Sequence, residues 1–306
     1  MNEKNGAVNG SAEKVRNTMS RAEIPDEHII EAIGRCRVII RNGEVVSVSD
    51  PIIADCPLAR RFAYPVPEIT KDAVKKNIEA RIQSFGMCTD RREVLDTRQF
   101  VGFGASELLS FGIQTGFFDA AVIACDGAGT VIATTPALVQ GIGGRMSGLT
   151  KTSPHPAVID RIEANGGFVL DRDGARMDPA AGMVLAYAQG FKNIAVTVAL
   201  PSDADAIRKM HPGAFIVGVH VSGLMKDEAE RLVGASDLVT ACASKTIREA
   251  VAGKALVQAG ISIPVFAMTE KGKDLIISKI QKSSEPVLVK PTKLPVAGDR
   301  EPQPLV

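Results

Sequence analysis

The sequence predicts an α/β protein with a doubly wound, mostly parallel sheet and a smaller N-terminal portion made of a β-hairpin and helices. From about residue 105 onward, short apolar runs alternate with amphipathic helical segments, the pattern of parallel strands covered on both faces. Nearer the N-terminus, Asn42-Gly43 joins two β-rich runs and supplies the two positive-φ residues of a tight hairpin turn. A closed barrel would need eight strand–helix units, and the chain has fewer.

The N-terminal portion, a region of hairpin and helices, covers residues 24–100. Thr70 is a side-chain cap for a helix that Gly86 ends, and Asp26 is the expected N-cap of an earlier helix. The expected elements are a helix over Asp26–Gly34, strands over Arg37–Arg41 and Glu44–Val48, and a helix over Thr70–Phe85.

Residues 101–282 form the predicted parallel α/β domain. Its strands are short and wholly apolar, and its helices carry polar residues on one side. The expected helices are Ala105–Thr115, Pro156–Asn165, Pro179–Gln189, Asp203–Met210, Lys226–Val233, Lys245–Ala259 and Thr269–Ile280. The expected strands are Ala120–Ala124, Phe168–Leu170, Ile194–Ala199, Ala214–Val219, Leu238–Thr240 and Ile263–Ala267.

Both ends of the chain differ from this core in composition. Residues 1–23 are rich in Asn, Ser, Glu and Lys, which predicts a disordered arm. Residues 283–306 contain five prolines, which block helix and sheet and predict an extended tail.

Composition excludes several classes of function. The 306-residue chain has a net charge of +1, no tryptophan and two tyrosines, so neither electrostatic attraction nor stacking favours nucleic acid. The polar N-terminus lacks the apolar middle of a signal peptide, and no apolar run reaches the ~20 residues that a bilayer requires. We therefore expect a cytoplasmic protein without a membrane segment, in which the thiols stay reduced.

Five cysteines lie at the expected edges of helices and strands, next to glycine, proline or charge. Thiols in such positions can reach a metal or a cluster, and thiolates select soft metals such as those of iron–sulfur clusters. No two form a Cys-x-x-Cys pair, so a shared site needs ligands from distant segments. The candidate metal ligands are Cys56, Cys88, Cys125 and Cys242, with Cys36 and His220 as further candidates.

Three of these residues follow expected parallel strands. Because the carboxyl ends of parallel strands meet at one edge of a sheet, Cys125, His220 and Cys242 are expected to share that edge. A small buried thiol near a strand end remains the alternative for each cysteine. His155, in a rigid turn, is expected to be a surface or capping residue, and no role is predicted for His28.

Cys242 and Asp126 are the candidate catalytic residues. Cys242 precedes Ser244 and Lys245 at the start of a helix, where the helix N-terminus and the ammonium group stabilise a thiolate. Asp126 is a candidate base, ligand or helix cap, and Ser244 acting only as a cap is the alternative for the Cys242 segment.

A glycine-rich stretch follows Cys125-Asp126. Glycines allow a backbone to approach a ligand closely, and backbone amides in such loops bind anions. The stretch lacks a Walker ending and the Gly-x-Gly-x-x-Gly pattern, so a tight packing loop is the alternative. The candidate ligand-binding residues are Gly127, Gly129, Gly141, Gly143, Gly144 and Arg145, together with Lys245.

Seven segments resemble those of the methanogenesis marker protein 8 family, and the resemblance covers about residues 26–282. They contain all five cysteines, so the resemblance fits a shared thiol-dependent role. The segments are IGRCRV (33–38), CPL (56–58), FGMCT (85–89), GFGASE (102–107), CDGAGT (125–130), QGIGGRMSG (140–148) and TACASK (240–245).

The resemblance implies a protein of methane-producing archaea, working in an anaerobic cytoplasm. It implies a role connected with methyl-coenzyme M reductase, its nickel cofactor or the proteins of its maturation, and it transfers no catalytic residue. Three functions stay open: a maturation factor that binds an iron–sulfur cluster or another soft metal, a thiol-dependent enzyme acting on a small anion, and a non-catalytic partner-binding protein.

Overall fold

The computed structural model describes residues 25–306 and confirms the α/β class with a second, smaller sheet. The arm predicted for residues 1–23 lies outside the described residues. The strands are β1 (Glu27–Glu31), β2 (Arg37–Arg41), β3 (Glu44–Val48), β4 (Ala120–Cys125), β5 (Gly129–Ala133), β6 (Gly148–Lys151), β7 (Phe168–Val169), β8 (Ile194–Val198), β9 (Phe215–Gly218), β10 (Leu238–Thr240), β11 (Val257–Ala259) and β12 (Val265–Ala267). The α-helices are α1 (Lys71–Phe85), α2 (Ala105–Gln114), α3 (Pro136–Gly143), α4 (Pro156–Ala164), α5 (Pro179–Ala188), α6 (Pro201–Met210), α7 (Lys226–Ala235), α8 (Lys245–Ala250) and α9 (Glu270–Lys282).

The large sheet has the strand order β11-β12-β10-β9-β8-β4-β5-β7. Its four central strands, β10, β9, β8 and β4, are parallel, and the strands at both edges pair antiparallel. Helices α2, α3, α4 and α9 bury apolar side chains on one face, and α5 to α8 do so on the other. The doubly wound arrangement is therefore confirmed, with antiparallel strands added at the edges.

The small sheet has the order β3-β2-β1-β6 and is antiparallel throughout. Helix α1 packs against it and shares its apolar core. Because β6 comes from residues 148–151, the small sheet joins the N-terminal portion to a segment from the middle of the chain. This pairing positions the candidate site.

The local signals for the hairpin and for α1 are confirmed. Asn42 and Gly43 have φ of 50° and 75°, as the turn between β2 and β3 requires. The Thr70 side chain accepts a hydrogen bond from the Ala73 N–H, and Gly86 ends α1 with φ of 73°.

The helix predicted over Asp26–Gly34 is wrong, because residues 27–31 form strand β1. His28 and Ile30 point inward and alternate with more exposed neighbours, the period of a strand. Strands β2 and β6 bond to β1 on its two sides, so tertiary pairing overrides any local helical preference. Asp26 accordingly precedes a strand and is not a helix cap.

Two more segments differ from the prediction. The helix expected over Lys245–Ala259 stops at Ala250, and Val257–Ala259 form strand β11, with Gly253 at a φ of 70° in the turn between them. The glycine-rich stretch is not a loop but contains β5 and α3. A side chain at Gly141 would lie 2.3 Å from the Val94 carbonyl oxygen, so this glycine allows α3 to pack against the neighbouring backbone.

Residues 283–306, predicted to be an extended tail, contain no helix and no named strand, and the end of the segment is held against the fold. Gln303 forms a β-bridge with Asp55, and the Val306 N–H donates to the Ala243 carbonyl at 2.8 Å. Glu301 bonds Arg248 at 2.5 Å. The last residues therefore join the loop before Cys56 to the loop after Cys242.

Within residues 25–306, no helix combines the length and the apolar character that a bilayer crossing demands. The longest helix, α1, has 15 residues.

Candidate functional site

Asp26, His28 and His155 converge next to the loop that follows β4. The His28 Nε2 atom lies 2.9 Å from Asp26 Oδ1 and 3.1 Å from His155 Nε2, and His155 Nε2 lies 3.3 Å from Asp26 Oδ1. Among residues 25–306, this is the one group of three or more His, Cys, Asp or Glu side chains whose donor atoms all lie within 4.8 Å of one another.

Two connections of the backbone hold this group in place. The Ser153 Oγ atom accepts a hydrogen bond from the Glu27 N–H at 2.9 Å, which fixes the segment that carries Asp26. His155 stands at the start of α4, and its N–H donates to the Gly127 carbonyl at 2.8 Å. A side chain at Gly127 would lie 3.1 Å from the His155 ring, and Gly127 has φ of 83°, so both space and backbone favour glycine there.

The second ring nitrogen of His28 is also engaged. His28 Nδ1 lies 2.7 Å from Thr152 Oγ1, and the Gly127 N–H donates to the same oxygen at 2.7 Å. The His28 side chain is fully buried, whereas Asp26 and His155 keep 26% and 14% of their side chains exposed. The group is therefore anchored on the inside and accessible from one side.

The electrostatics favour a neutral His28. Burial lowers the pKa of His28, and the carboxylate of Asp26 offsets this only in part. At neutral pH the imidazole is therefore uncharged and can offer a nitrogen lone pair, the form in which histidine binds metals.

A buried ion pair lies behind the group. Arg92 Nε donates to Asp126 Oδ1 at 2.9 Å, and the Cys88 N–H donates to Asp126 Oδ2 at 2.7 Å, with both charged side chains sealed from solvent. Burial alone would raise the pKa of Asp126, but the attraction of Arg92 and the Cys88 hydrogen bond outweigh it and hold that pKa below its ordinary value. The carboxylate oxygens are occupied by these donors, and the catalytic role predicted for Asp126 stays a prediction.

The five cysteines occupy different environments. Cys36 and Cys88 lie in the core of the small sheet, Cys125 lies in that of the large sheet, and Cys56 and Cys242 are partly exposed. Cys56 and Cys242 lie near each other, since Cys56 is among the groups that raise the pKa of Cys242. Burial raises the pKa of each of the five thiols.

The sheet order separates Cys125 from Cys242. They follow β4 and β10, and β8 and β9 lie between these strands, so the two positions are about 14 Å apart along the sheet. Among the described residues, no cysteine belongs to a group of three close donor atoms. Metal binding by Cys56, Cys88, Cys125 and Cys242 therefore stays a prediction.

The candidate anion-binding residues are engaged in packing and ion pairs. Gly141 and Gly143 lie within α3, Gly144 follows it, and a side chain at Gly129 would lie 2.3 Å from the Ala175 carbonyl oxygen. Arg145 pairs with Glu93 and Asp96 and stacks over the Phe85 ring. Lys245 is exposed at the start of α8, and His220 is exposed after β9.

The sequence reasoning gave no ligand role to Asp26, His28 or His155. The sequence of Glu27–Glu31 does not alternate in polarity, so it carries no signal that His28 faces the interior of a sheet, and the alternation appears only in the burial of the folded strand. His28 and His155 are 127 positions apart in sequence, and no local pattern links them, since the pairing of β1 with β6 brings their segments together.

Two imidazoles and one carboxylate form a ligand set that zinc and other borderline divalent metals accept. Ligand atoms about 2.0–2.2 Å from one ion lie about 2.8–3.6 Å from each other in octahedral or tetrahedral geometry. The three measured separations, 2.9, 3.1 and 3.3 Å, fall in that range. The arrangement can also share a proton between the two histidines and the carboxylate.

Comparisons with known proteins give a family and a relative. A family described as an uncharacterized protein conserved in archaea matches residues 28–281. An uncharacterized protein of Methanocaldococcus jannaschii, MJ0054, is 41% identical over 284 residues, which cover 92% of this chain and 100% of the relative. His28 and His155 both fall within the range that the family matches.

Proposed function

The chain belongs to the DUF2099 family of proteins conserved in archaea, and we propose that it is a metal-binding protein whose centre is formed by Asp26, His28 and His155. The observation that supports this proposal is the convergence of two Nε2 atoms and one carboxylate oxygen within 3.3 Å of one another. One of these atoms belongs to a histidine whose second nitrogen already has a partner. This combination of ligand and outer hydrogen bond is typical of metal-binding histidines.

The preferred metal is a borderline divalent cation such as zinc, nickel or iron(II). Imidazole nitrogen suits these ions, whereas a site without sulfur does not select a soft metal. Three protein ligands leave at least one coordination position for water or a small molecule, and the exposed edges of Asp26 and His155 give access to it.

The link to methanogenesis belongs to the same proposal. The resemblance to methanogenesis marker protein 8 supports a cytoplasmic maturation or assembly factor associated with methyl-coenzyme M reductase, and the comparisons supply the coarser archaeal family. Because nickel is one of these borderline cations, a protein that binds them suits a role in the maturation of a nickel enzyme. An iron–sulfur cluster and a thiol-dependent activity have less support, because the cysteines are divided among separate environments and burial raises the pKa of Cys242 to about 11.

Metal titration of the full-length, metal-free protein under anaerobic conditions tests the proposal. Zinc affinity is measured directly, and cobalt(II) serves as a spectroscopic probe because thiolate ligands add charge-transfer bands that nitrogen and oxygen ligands lack. We expect one equivalent of metal and a cobalt spectrum without thiolate bands.

His155→Ala and Asp26→Asn are the informative variants. Each removes one proposed ligand at the accessible edge, and we expect zinc affinity to fall roughly 100-fold or more with His155→Ala. The matched control is His220→Ala, which removes an exposed histidine after β9, a strand separated from β4 by β8, and is expected to leave affinity unchanged. Unchanged affinity in His155→Ala, or loss in His220→Ala alone, would rule out the proposed centre.

A further inference from the structure

The hydroxyl group of Thr152 stands between the candidate centre and the loop after β4. Its Oγ1 atom lies 2.7 Å from His28 Nδ1, 2.7 Å from the Gly127 nitrogen and 3.4 Å from the Ser153 carbonyl oxygen. Thr152 is itself buried, so no bulk water competes for these contacts.

A hydroxyl can donate one hydrogen bond and accept two. The Gly127 N–H can only donate, so it takes one of the two acceptor positions of Thr152. The Ser153 carbonyl can only accept. The direction of the bond between Thr152 and His28 is therefore coupled to the direction in which the hydroxyl hydrogen points.

This coupling allows two arrangements. In one, the Thr152 O–H donates to His28 Nδ1, and the neutral ring carries its proton on Nε2, where it donates to Asp26. In the other, the ring carries its proton on Nδ1 and donates to Thr152, whose own hydrogen turns to the Ser153 carbonyl. The number of protons on the ring is the same in both, and only the second leaves the Nε2 lone pair free.

We propose that Thr152 is a positioning residue that sets the tautomer of His28, accepting the Nδ1–H when Nε2 binds metal and donating to Nδ1 when it does not. This inference rests on the proposed function and extends it beyond the three ligands. Hydrogen bonds of this kind fix the orientation of a ligating imidazole, and their loss costs about 10–100-fold in metal affinity.

The backbone reinforces this role for Thr152. Gly127 follows Asp126 directly, and Asp126 is fixed by Arg92 and by the Cys88 N–H. The donor that holds the Thr152 oxygen is therefore anchored to a buried ion pair, so the oxygen keeps its place opposite His28 Nδ1.

Two variants of the full chain test the inference. Thr152→Val has the same shape but lacks the hydroxyl, and we expect zinc affinity to fall about 10–100-fold. Thr152→Ser retains the hydroxyl and is expected to restore affinity to within about threefold of the wild type, which a role in packing the methyl group would not do.

Nitrogen-15 NMR of the histidine rings supplies a readout that does not depend on affinity. In the wild type, we expect the His28 proton on Nε2 without metal and on Nδ1 with zinc. In metal-free Thr152→Val, Asp26 still accepts the Nε2–H, so we expect the same tautomer but an Nδ1 resonance shifted by the loss of the hydrogen bond from Thr152. If the wild type fails to bind zinc, the proposed function fails, and the metal-free Nδ1 resonances still decide whether Thr152 donates to His28. If the wild type binds zinc and Thr152→Val has the same affinity and the same metal-free Nδ1 resonance, the inference about Thr152 is overturned while the metal centre stands.

Discussion

The ends of strands β4 and β10 lie at the same edge of the large sheet, and each is marked by a nearby cysteine, but they are built differently. After β4, Asp126 and Gly127 meet the small sheet, whose strands β1 and β6 bring in His28 and Thr152. After β10, Cys242 lies near the C-terminal residues, which bond Ala243. Donor atoms therefore converge where a second sheet meets the strand end, and cysteine alone does not mark that place.

The ion pair behind the β4 end gives the largest expected effect. Arg92→Met leaves the fully buried Asp126 carboxylate without its positively charged partner and without the two hydrogen bonds that Arg92 donates to it. We expect the free energy of unfolding to fall by about 3–5 kcal/mol. Denaturant unfolding monitored by circular dichroism measures it. The matched control is Arg231→Met, which breaks an exposed pair with Asp205 and is expected to cost less than about 1 kcal/mol. Equal losses in the two variants would show that the β4 end has no special dependence on this pair.

The thiol at the β10 end gives the next largest effect. Burial raises the pKa of Cys242 to about 11, so its thiolate is scarce at pH 8, and we expect alkylation to be roughly 100-fold slower than that of a free thiol of ordinary pKa. The rate should rise about tenfold for each pH unit up to pH 10, because only the thiolate reacts. Mass spectrometry of a protein quenched at intervals follows the modified residue. A rate that levels off below pH 9 would mean that Cys242 is activated, as its position before a helix predicted.

Metal affinity separates the two strand ends directly. The double variant Cys56→Ala/Cys242→Ala should bind zinc within about threefold of the wild type, whereas Asp26→Asn should bind about 10–100-fold more weakly. Calorimetric titration of each protein gives the comparison. Should the cysteine variant lose the metal and Asp26→Asn retain it, the metal belongs to the β10 end.

The smallest effect concerns the contact that holds the C-terminal residues. Glu301→Gln weakens a largely buried pair with Arg248, and we expect a loss of about 1–2 kcal/mol in the free energy of unfolding. Glu230→Gln, which affects an exposed pair with Lys226, is the control and should change stability by less than about 0.5 kcal/mol. A loss no larger than that of the control would mean that the docked segment adds little to stability.

Much of the fold was predictable because its signals are local. Patterns only a few residues long predict the strands β4, β8, β9 and β10, which are apolar runs, and the turn at Asn42-Gly43. Strand β1 was not predictable in the same way, since its five residues become a strand through pairing with β2 and β6. The end of α8 at Ala250 was less predictable, since Gly253, the nearest glycine, lies three residues beyond it.

The candidate site was less predictable than the fold. Gly127 and Asp126 were identified from the chain that follows β4, and they do lie beside the converging donors. The two histidines and Asp26 were not, because their proximity depends on contacts across more than 120 positions of sequence. The cysteines were predicted to be ligands because thiolates bind soft metals, yet burial raises the pKa of all five.

The pairing of β1 with β6 also determines when the proposed ligand set can form during synthesis. Strand β1 can pair with β2 early, but its second partner strand, β6, is absent until residues 148–151 have left the ribosome, and His155 follows later still. A nascent chain of which only the first hundred residues have emerged contains Asp26 and His28 but does not yet expose His155. Any ion delivered during synthesis would therefore meet an incomplete ligand set, and stable uptake has to wait until about half of the polypeptide has emerged and folded.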